Sequence, residues 1–269
     1  MTNSQDKIIR DSVKERYGEI ARHNQGDNQL QSSCCGGNTI DAFDLIQPQT
    51  QSSLMGYSAE ELANVPVGAN LGLGCGNPQA IAALKAGEAV LDLGSGAGFD
   101  SFLAARQIGN EGKVIGIDMT PDMVKKAREN AEKGSYTNVE FRQGEIEKLP
   151  VEDNSIDVIL SNCVINLSPD KPAVFNEAYR VLKQGGRLAI SDMVASMEMP
   201  PEIKEDLSLH SACVSGALLV EDLEQILLEA GFKNIQIKPK DESREFISKW
   251  APGIPIEDFV ISATIEATK

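Results

Sequence analysis

The segment Val90-Leu-Asp-Leu-Gly-Ser-Gly-Ala-Gly-Phe-Asp100 limits the fold more than any other stretch of the chain. An apolar run that breaks into a Gly-x-Gly-x-Gly turn and then takes up helical spacing describes a buried strand feeding a helix. Its backbone is bare enough for a ligand to approach closely. From Glu88 onward, short apolar runs alternate with helical patterns, as in a parallel sheet covered by helices on both faces. The runs predict strands at Ala89–Leu93, Lys113–Asp118, Val139–Gln143, Ile156–Ser161 and Arg187–Ser191, and helices at Asp100–Gln107, Pro121–Lys133 and Lys171–Leu182. Pro121 suits a first helical turn and Thr120 is placed to cap it. Further along, a polar helix is expected at Pro201–Ala212, another at Glu221–Ala230 ended by Gly231, and two β-runs at Phe232–Ile237 and Phe259–Ile265.

Ahead of this unit, Ile8, Ile9, Val13, Tyr17, Ile20 and Ala21 recur at helical spacing and predict an amphipathic helix from Asp6 to about Asn24. Residues 25–53, rich in Gln, Asn, Ser and Gly, read as a long polar loop able to act as a lid. The expected organisation is an N-terminal helix and Cys-containing loop over 1–70, a cofactor-binding core over 71–192, and a C-terminal segment over 193–269 with the last strands.

The glycine spacing Gly94-x-Gly96-x-Gly98 does not meet the Gly-x-Gly-x-x-Gly fingerprint of NAD sites. Asp118, at the end of the second strand, adds weight to a nucleoside site, because a carboxylate there can accept hydrogen bonds from both ribose hydroxyls. The plainer reading of Asp118 is a carboxylate capping the Pro121 helix. With 40 acidic against 25 basic residues the net charge is -15, which opposes nucleic-acid backbone and anionic membrane surfaces. A polar N-terminus and the lack of a bilayer-length apolar run lead to an expectation of a soluble, cytoplasmic protein.

Five cysteines in a chain with no secretory segment argue for reduced thiols rather than a disulfide framework. Cys34 and Cys35 are adjacent and cannot cross-link to each other without strain. Cys75 stands between glycines, a setting for a backbone that must bend, and Cys163 follows Asn162 at the carboxyl end of the fourth strand, where substrate atoms lie in open sheets of this type. Cys213 and Cys163 each also read as small buried hydrophobes. His210, three residues before Cys213, reads either as a thiol-orienting group or as a packing residue, and His23 as solvent-facing. Three cysteines with water or His210 would also make a zinc site, although the paired Cys-x-x-Cys spacing of structural zinc is missing.

From Val90 to about Asp192 the sequence resembles the class I S-adenosylmethionine-dependent methyltransferases. The resemblance rests on the glycine turn, Asp118-Met119, Gly144-Glu-Ile-Glu-Lys-Leu-Pro150, Asp157-Val-Ile-Leu-Ser-Asn162 and Leu182-Lys-Gln-Gly-Gly-Arg-Leu188. It implies an α/β, Rossmann-like fold with a seven-stranded, mostly parallel sheet whose last strand is antiparallel, and S-adenosylmethionine across the strands' carboxyl ends. By the same resemblance Asp92, Gly94, Ser95, Gly96, Asp118, Met119, Glu145, Ile146 and Asn162 bind the cofactor, as does Tyr57, which otherwise reads as an ordinary loop aromatic.

Over almost the whole chain, Ala69-Asn-Leu-Gly-Leu-Gly-Cys-Gly-Asn-Pro78, Ser161-Asn-Cys-Val-Ile-Asn-Leu167, Cys213-Val-Ser-Gly-Ala-Leu218 and Cys34-Cys-Gly-Gly37 resemble the arsenite methyltransferases. That resemblance implies methylation of trivalent arsenic in detoxification. It implies that Cys75, Cys163 and Cys213 bind the arsenic, that Cys34 or Cys35 enters thiol exchange, and that glutathione or a thioredoxin-like partner is the reductant. Two other readings stay open at this point: methylation of a small organic acceptor with structural cysteines, and metalloid binding without turnover.

Overall fold

The computed structural model describes residues 4–23, 47–251 and 253–269. In chain order the helices and strands are α1 (Gln5–His23), α2 (Pro48–Leu54), α3 (Ala59–Ala63), α4 (Gln79–Ala82), β1 (Ala89–Leu93), α5 (Phe99–Ile108), β2 (Lys113–Asp118), α6 (Pro121–Lys133) and β3 (Val139–Gln143). There follow β4 (Ile156–Asn162), α7 (Lys171–Val181), β5 (Leu182–Ala195), α8 (Pro201–Lys204), α9 (Leu207–Ser211), α10 (Val220–Ala230), β6 (Lys233–Pro239), α11 (Arg244–Ile247) and β7 (Val260–Thr268).

The strands form one seven-stranded sheet in the order β3-β2-β1-β4-β5-β7-β6. Neighbours from β3 to β5 are parallel, and β7 runs antiparallel to both β5 and β6. This is the class I methyltransferase architecture that the resemblance implied. Central strands are apolar on both sides because both sheet faces are covered. Val90, Val158 and Leu160 pack with Ala104 and Ile108 of α5 on one face, while Leu91, Leu93 and Ile159 pack with Phe175 and Val181 of α7 on the other. Burying each such side chain stabilises the fold by about 1.5–3 kcal/mol. At the sheet's edge β6 is largely solvent-facing and carries Lys233, Gln236 and Lys238, which discourages further strand pairing.

Four expectations are corrected. Residues 48–53 of the supposed loop belong to α2, with Pro48 in its first turn and polar Gln51 and Ser52 as its buried face, so hydrophobic periodicity missed it. The single helix expected over 201–212 is two, because Asp206 adopts an extended backbone and its side chain accepts the N–H of Leu209, starting α9 afresh. Thr120 gives α6 no side-chain cap; its own N–H donates to Asp118 Oδ1 at 2.8 Å. β5 outruns Arg187–Ser191 at both ends, where Leu182 pairs with Ile156 and Ala195 with Val260.

Order along the sheet reverses between β1 and β4: the chain steps outward from β1 to β3 and returns to start again at β4. Loops leaving these two strands must diverge, and a crevice opens at their carboxyl ends.

Candidate functional site

The crevice encloses a cavity of about 120 Å³ that opens to solvent and is lined from the loops after β1, β2 and β4 and from α1. Its floor is the turn after β1. Gly94 there has φ +66, and a Cβ on it would meet Val164 at 2.2 Å, so only glycine allows the loops after β1 and β4 to cross. Gly96 N–H donates to Asp118 Oδ2 at 2.9 Å, tying the turn to the end of β2 and leaving Asp118 facing the cleft.

Of the residues assigned to the cofactor from sequence, Asp92, Gly94, Ser95, Gly96, Asp118, Met119, Ile146 and Asn162 line this cleft. Two are placed elsewhere. Tyr57 is buried behind the wall, its hydroxyl donating to Asp100 Oδ1 at 2.7 Å and accepting from Asn162 Nδ2 at 3.0 Å. Glu145 pairs with Arg10 and Lys14 of α1, and its neighbours Gly144, Ile146 and Glu147 take its place in the lining.

Sequence reasoning missed Asp100 and three residues of α1. Arg10, Val13 and Tyr17 lie on one helical face and close the cleft from above, and Arg10 is held by Glu147 at 3.1 Å. A charge and an aromatic inside an otherwise aliphatic stripe were the available signal. Asp100 is fixed by Tyr57, by Gln79 Nε2 and by Asn162 Nδ2.

Three carboxyls therefore face one cavity. Burial pushes Asp92, Asp100 and Asp118 above the ordinary carboxylate range, and Asp92 is raised further by its neighbour Asp100. Hydrogen bonds from Thr120 and Gly96 to Asp118, and from Tyr57, Asn162 and Gln79 to Asp100, pull the other way. A cleft so lined favours a ligand that is cationic and rich in hydroxyl donors.

The three late cysteines converge at one end of this cleft, all buried within an apolar cluster that includes Leu167, Met193 and Trp250. Cys163 itself lines the cleft. Cys213 Sγ donates to the carbonyl of Cys163 at 2.8 Å. Both residues sit in the left-handed region, at φ 58 and 62, a conformation that few non-glycine residues adopt and that marks the site as over-determined by its surroundings. Cys75 arrives on a separate loop: its N–H donates to Asn162 Oδ1 at 3.0 Å, and its carbonyl accepts from Ser262 Oγ at 2.7 Å. Gly74 before it has φ +124 and no room for a Cβ beside the Asn162 side chain. Gly76 has an ordinary backbone but lies so close to Ser191 that a Cβ would meet it at 2.9 Å, so space rather than bending is its constraint.

Among the described residues, one trio of donor atoms lies within 4.8 Å of one another: the Cys75 and Cys163 sulfurs and a carboxylate oxygen of Asp192. Asp192, unnoticed from sequence as a site residue, ends up here because β5 continues past Ser191. Burial pushes it up to about 6, against hydrogen bonds from the backbone of Met193, Ile165 and Asn166. Burial likewise raises the Cys75 thiol and raises Cys163 more, with Cys213 and Cys75 adding to the latter. Burial therefore favours the neutral thiol at Cys75 and at Cys163.

His210 is buried with Nε2 on the carbonyl of Leu167 at 3.2 Å, and burial lowers its pKa. It is outside the donor trio and acts in packing. Cys34 and Cys35 lie outside the described residues.

A family described as a methyltransferase domain matches residues 84–231. Over 263 residues the chain is 51% identical to the arsenite methyltransferase of Halobacterium salinarum, covering 97% of this chain and 66% of that protein. The arsenite methyltransferase of Aquipseudomonas alcaligenes is 38% identical, with coverages of 83% and 62%. The crystal structure of an arsenic (III) S-adenosylmethionine methyltransferase from Chlamydomonas reinhardtii superposes with a TM-score of 0.59 at 32% identity, covering 83% of this chain and 74% of that one. The chain thus spans 66% and 62% of the lengths of these two curated relatives.

Proposed function

The chain belongs to the arsenite methyltransferase family, and from that membership we propose that it transfers methyl groups from S-adenosylmethionine to trivalent arsenic held by Cys75, Cys163 and Cys213. The observation that carries this reading is that Cys163 lines the cofactor cleft while its sulfur lies within 4.8 Å of that of Cys75 and its carbonyl accepts from Cys213 Sγ at 2.8 Å.

The cleft suits the cofactor. Asp118 faces it where a ribose would present hydroxyls, and Gly96 has open space in place of a side chain. Asp92 and Asp100 supply anionic charge for a ligand that carries an ammonium and a sulfonium. When bound, S-adenosylmethionine supplies a methyl group on an activated sulfonium, so the protein's part is alignment more than acid-base work.

Arsenic is a soft centre that takes sulfur donors. Arsenious acid exchanges each hydroxyl for a protein sulfur and releases water, since the thiol proton leaves with the hydroxyl. Three neutral thiols and a neutral acid thus give a neutral tris-thiolate, which the buried apolar cluster accommodates without an uncompensated charge. The arsenic lone pair is then the nucleophile, and no general base is required. Methyl transfer takes arsenic formally to the pentavalent state, and two electrons must follow. A thiol pair that becomes a disulfide delivers them, and Cys34 or Cys35 is assigned to that relay with glutathione or a thioredoxin-like protein as the ultimate reductant.

The test is an incubation of the protein with arsenite, S-adenosylmethionine and a thiol reductant, with methylated arsenicals separated and quantified beside Cys163→Ser. Methylarsenicals from the wild type alone support the assignment. Arsenite binding without product would leave a sequestering protein, and methylation of an organic acceptor by the serine variant would make the cysteines structural.

A further inference from the structure

The donor set beside the cofactor cleft is not what trivalent arsenic alone requires. Arsenic takes sulfur, yet a buried carboxylate stands within 4.8 Å of two of the sulfurs. Asp192 Oδ2 accepts from Ile165 N at 2.9 Å and Oδ1 from Met193 N at 2.8 Å, and a third backbone hydrogen bond comes from Asn166. A carboxylate has about four acceptor positions, so one remains, and the backbone holds its orientation. Two sulfurs and an oxygen are a donor set for a thiophilic divalent cation of the zinc or cadmium kind, which takes Cys and Asp ligands in tetrahedral geometry. Donors of such a site lie roughly 3.4–3.8 Å apart, given metal–sulfur distances near 2.3 Å, so the trio needs to contract by no more than about 1 Å.

We infer that Cys75, Cys163 and Asp192 form a binding site for a thiophilic divalent cation that excludes arsenic. The inference shares the site assigned to arsenic and rests on that reading for the competition it predicts. Binding releases the Cys75 and Cys163 protons to solvent, and two thiolates with one carboxylate leave a unit of negative charge around a dication. Lys171, which lines a small cavity with Asp192, offers a nearby positive charge: burial lowers its pKa, while Asp192 pulls it back up. No oxidation state changes. His210, the partner that the cysteine spacing first offers to zinc, is engaged by Leu167 and takes no part.

The experiment is a cadmium titration of the full chain under reducing conditions, followed by the ultraviolet cadmium–thiolate band, on wild type, Asp192→Asn and Cys163→Ser. One cadmium per chain, displaced by arsenite, is expected. Asp192→Asn should weaken cadmium by at least about tenfold, the scale of losses seen even for outer-shell metal partners. Unchanged cadmium affinity in Asp192→Asn, or cadmium and arsenite bound together, overturns the inference. Should Asp192→Asn not fold, the cadmium NMR shift of the wild type decides: mixed sulfur–oxygen ligation supports the site and all-sulfur ligation overturns it. Methylation activity is measured separately, so a chain that binds cadmium without methylating arsenite defeats the functional proposal and leaves this one standing.

Discussion

Asn162 Oδ1 accepts the backbone N–H of Cys75 at 3.0 Å, while its Nδ2 donates to the carbonyl of Gly76 at 2.8 Å. The same amide reaches Tyr57 Oη and Asp100 Oδ2, so a single side chain fastens the Cys75 loop to the wall of the cofactor cleft. Asn162→Ala should free that loop. The expected outcome is a drop of about 10- to 100-fold in arsenite methylation, the scale on which a misplaced reacting group acts. Alkylation by iodoacetamide, read residue by residue by mass spectrometry, should rise at Cys75 and not at Cys213. Equal rises at both would mean general loosening.

The left-handed backbone at Cys213 makes a prediction independent of chemistry. A side chain at φ 62 costs roughly 1–2 kcal/mol relative to glycine. Cys213→Gly should therefore be at least as stable as Cys213→Ala in thermal unfolding, although glycine lowers stability almost everywhere else. Both variants should lose arsenite binding. If alanine proves the more stable, the site's surroundings do not hold Cys213 in that conformation.

How much of this was legible beforehand follows from where the information is stored. The sheet was readable because buried parallel strands are continuous apolar runs, and the glycine turn announced the strand to which the rest is anchored. Cys75, Cys163 and Cys213 were legible as a group through family motifs, but that Asp192 joins them depends on β5 running past Ser191, which local pattern does not encode. Arg10, Val13 and Tyr17 were invisible for a related reason: periodicity tells which face of α1 is buried, not what it is buried against. Tyr57 and Glu145 do not line the cleft, because hydrogen bonds and ion pairs direct their side chains elsewhere.

The buried carboxyls yield a pH prediction. Asp92 titrates well above its ordinary value because burial, then Asp100, disfavour its charge. A carboxyl whose folded pKa is raised makes the native state bind more protons than the unfolded one, so its ionisation destabilises the fold increasingly as pH rises from the unfolded toward the folded pKa. Asp92→Asn should accordingly be more stable than wild type at neutral pH, with the difference shrinking as pH falls toward the ordinary carboxylate range. Cofactor affinity should go the opposite way, weaker in the variant by about tenfold or more, as for a lost hydrogen bond to a charged group. Thermal unfolding across pH together with calorimetric titration checks both, and a variant less stable than wild type at neutral pH would contradict the assignment.

Helix α1 closes the cleft through ion pairs, and that choice sets how it opens. Arg10 bonds Glu147 at 3.1 Å, Ser168 Oγ reinforces Glu147 at 2.7 Å, and Lys14 reaches Glu145 at 3.3 Å. These side chains are partly exposed, so each pair contributes no more than about 0.2–1 kcal/mol and is screened by salt. Arg10→Met keeps the apolar stem over the cleft and removes the charge. Global stability should hardly change, since the body of the core lies elsewhere. Cofactor dissociation, followed by stopped-flow fluorescence or displacement, should speed up by roughly 1.4- to fivefold, the equivalent of that energy at about 1.4 kcal/mol per decade. Raising salt should accelerate release from the wild type toward the variant's rate and leave the variant nearly unaffected. A wild-type rate indifferent to salt would mean that α1 is held by Val13 and Tyr17 packing alone, and that the cleft opens by another route.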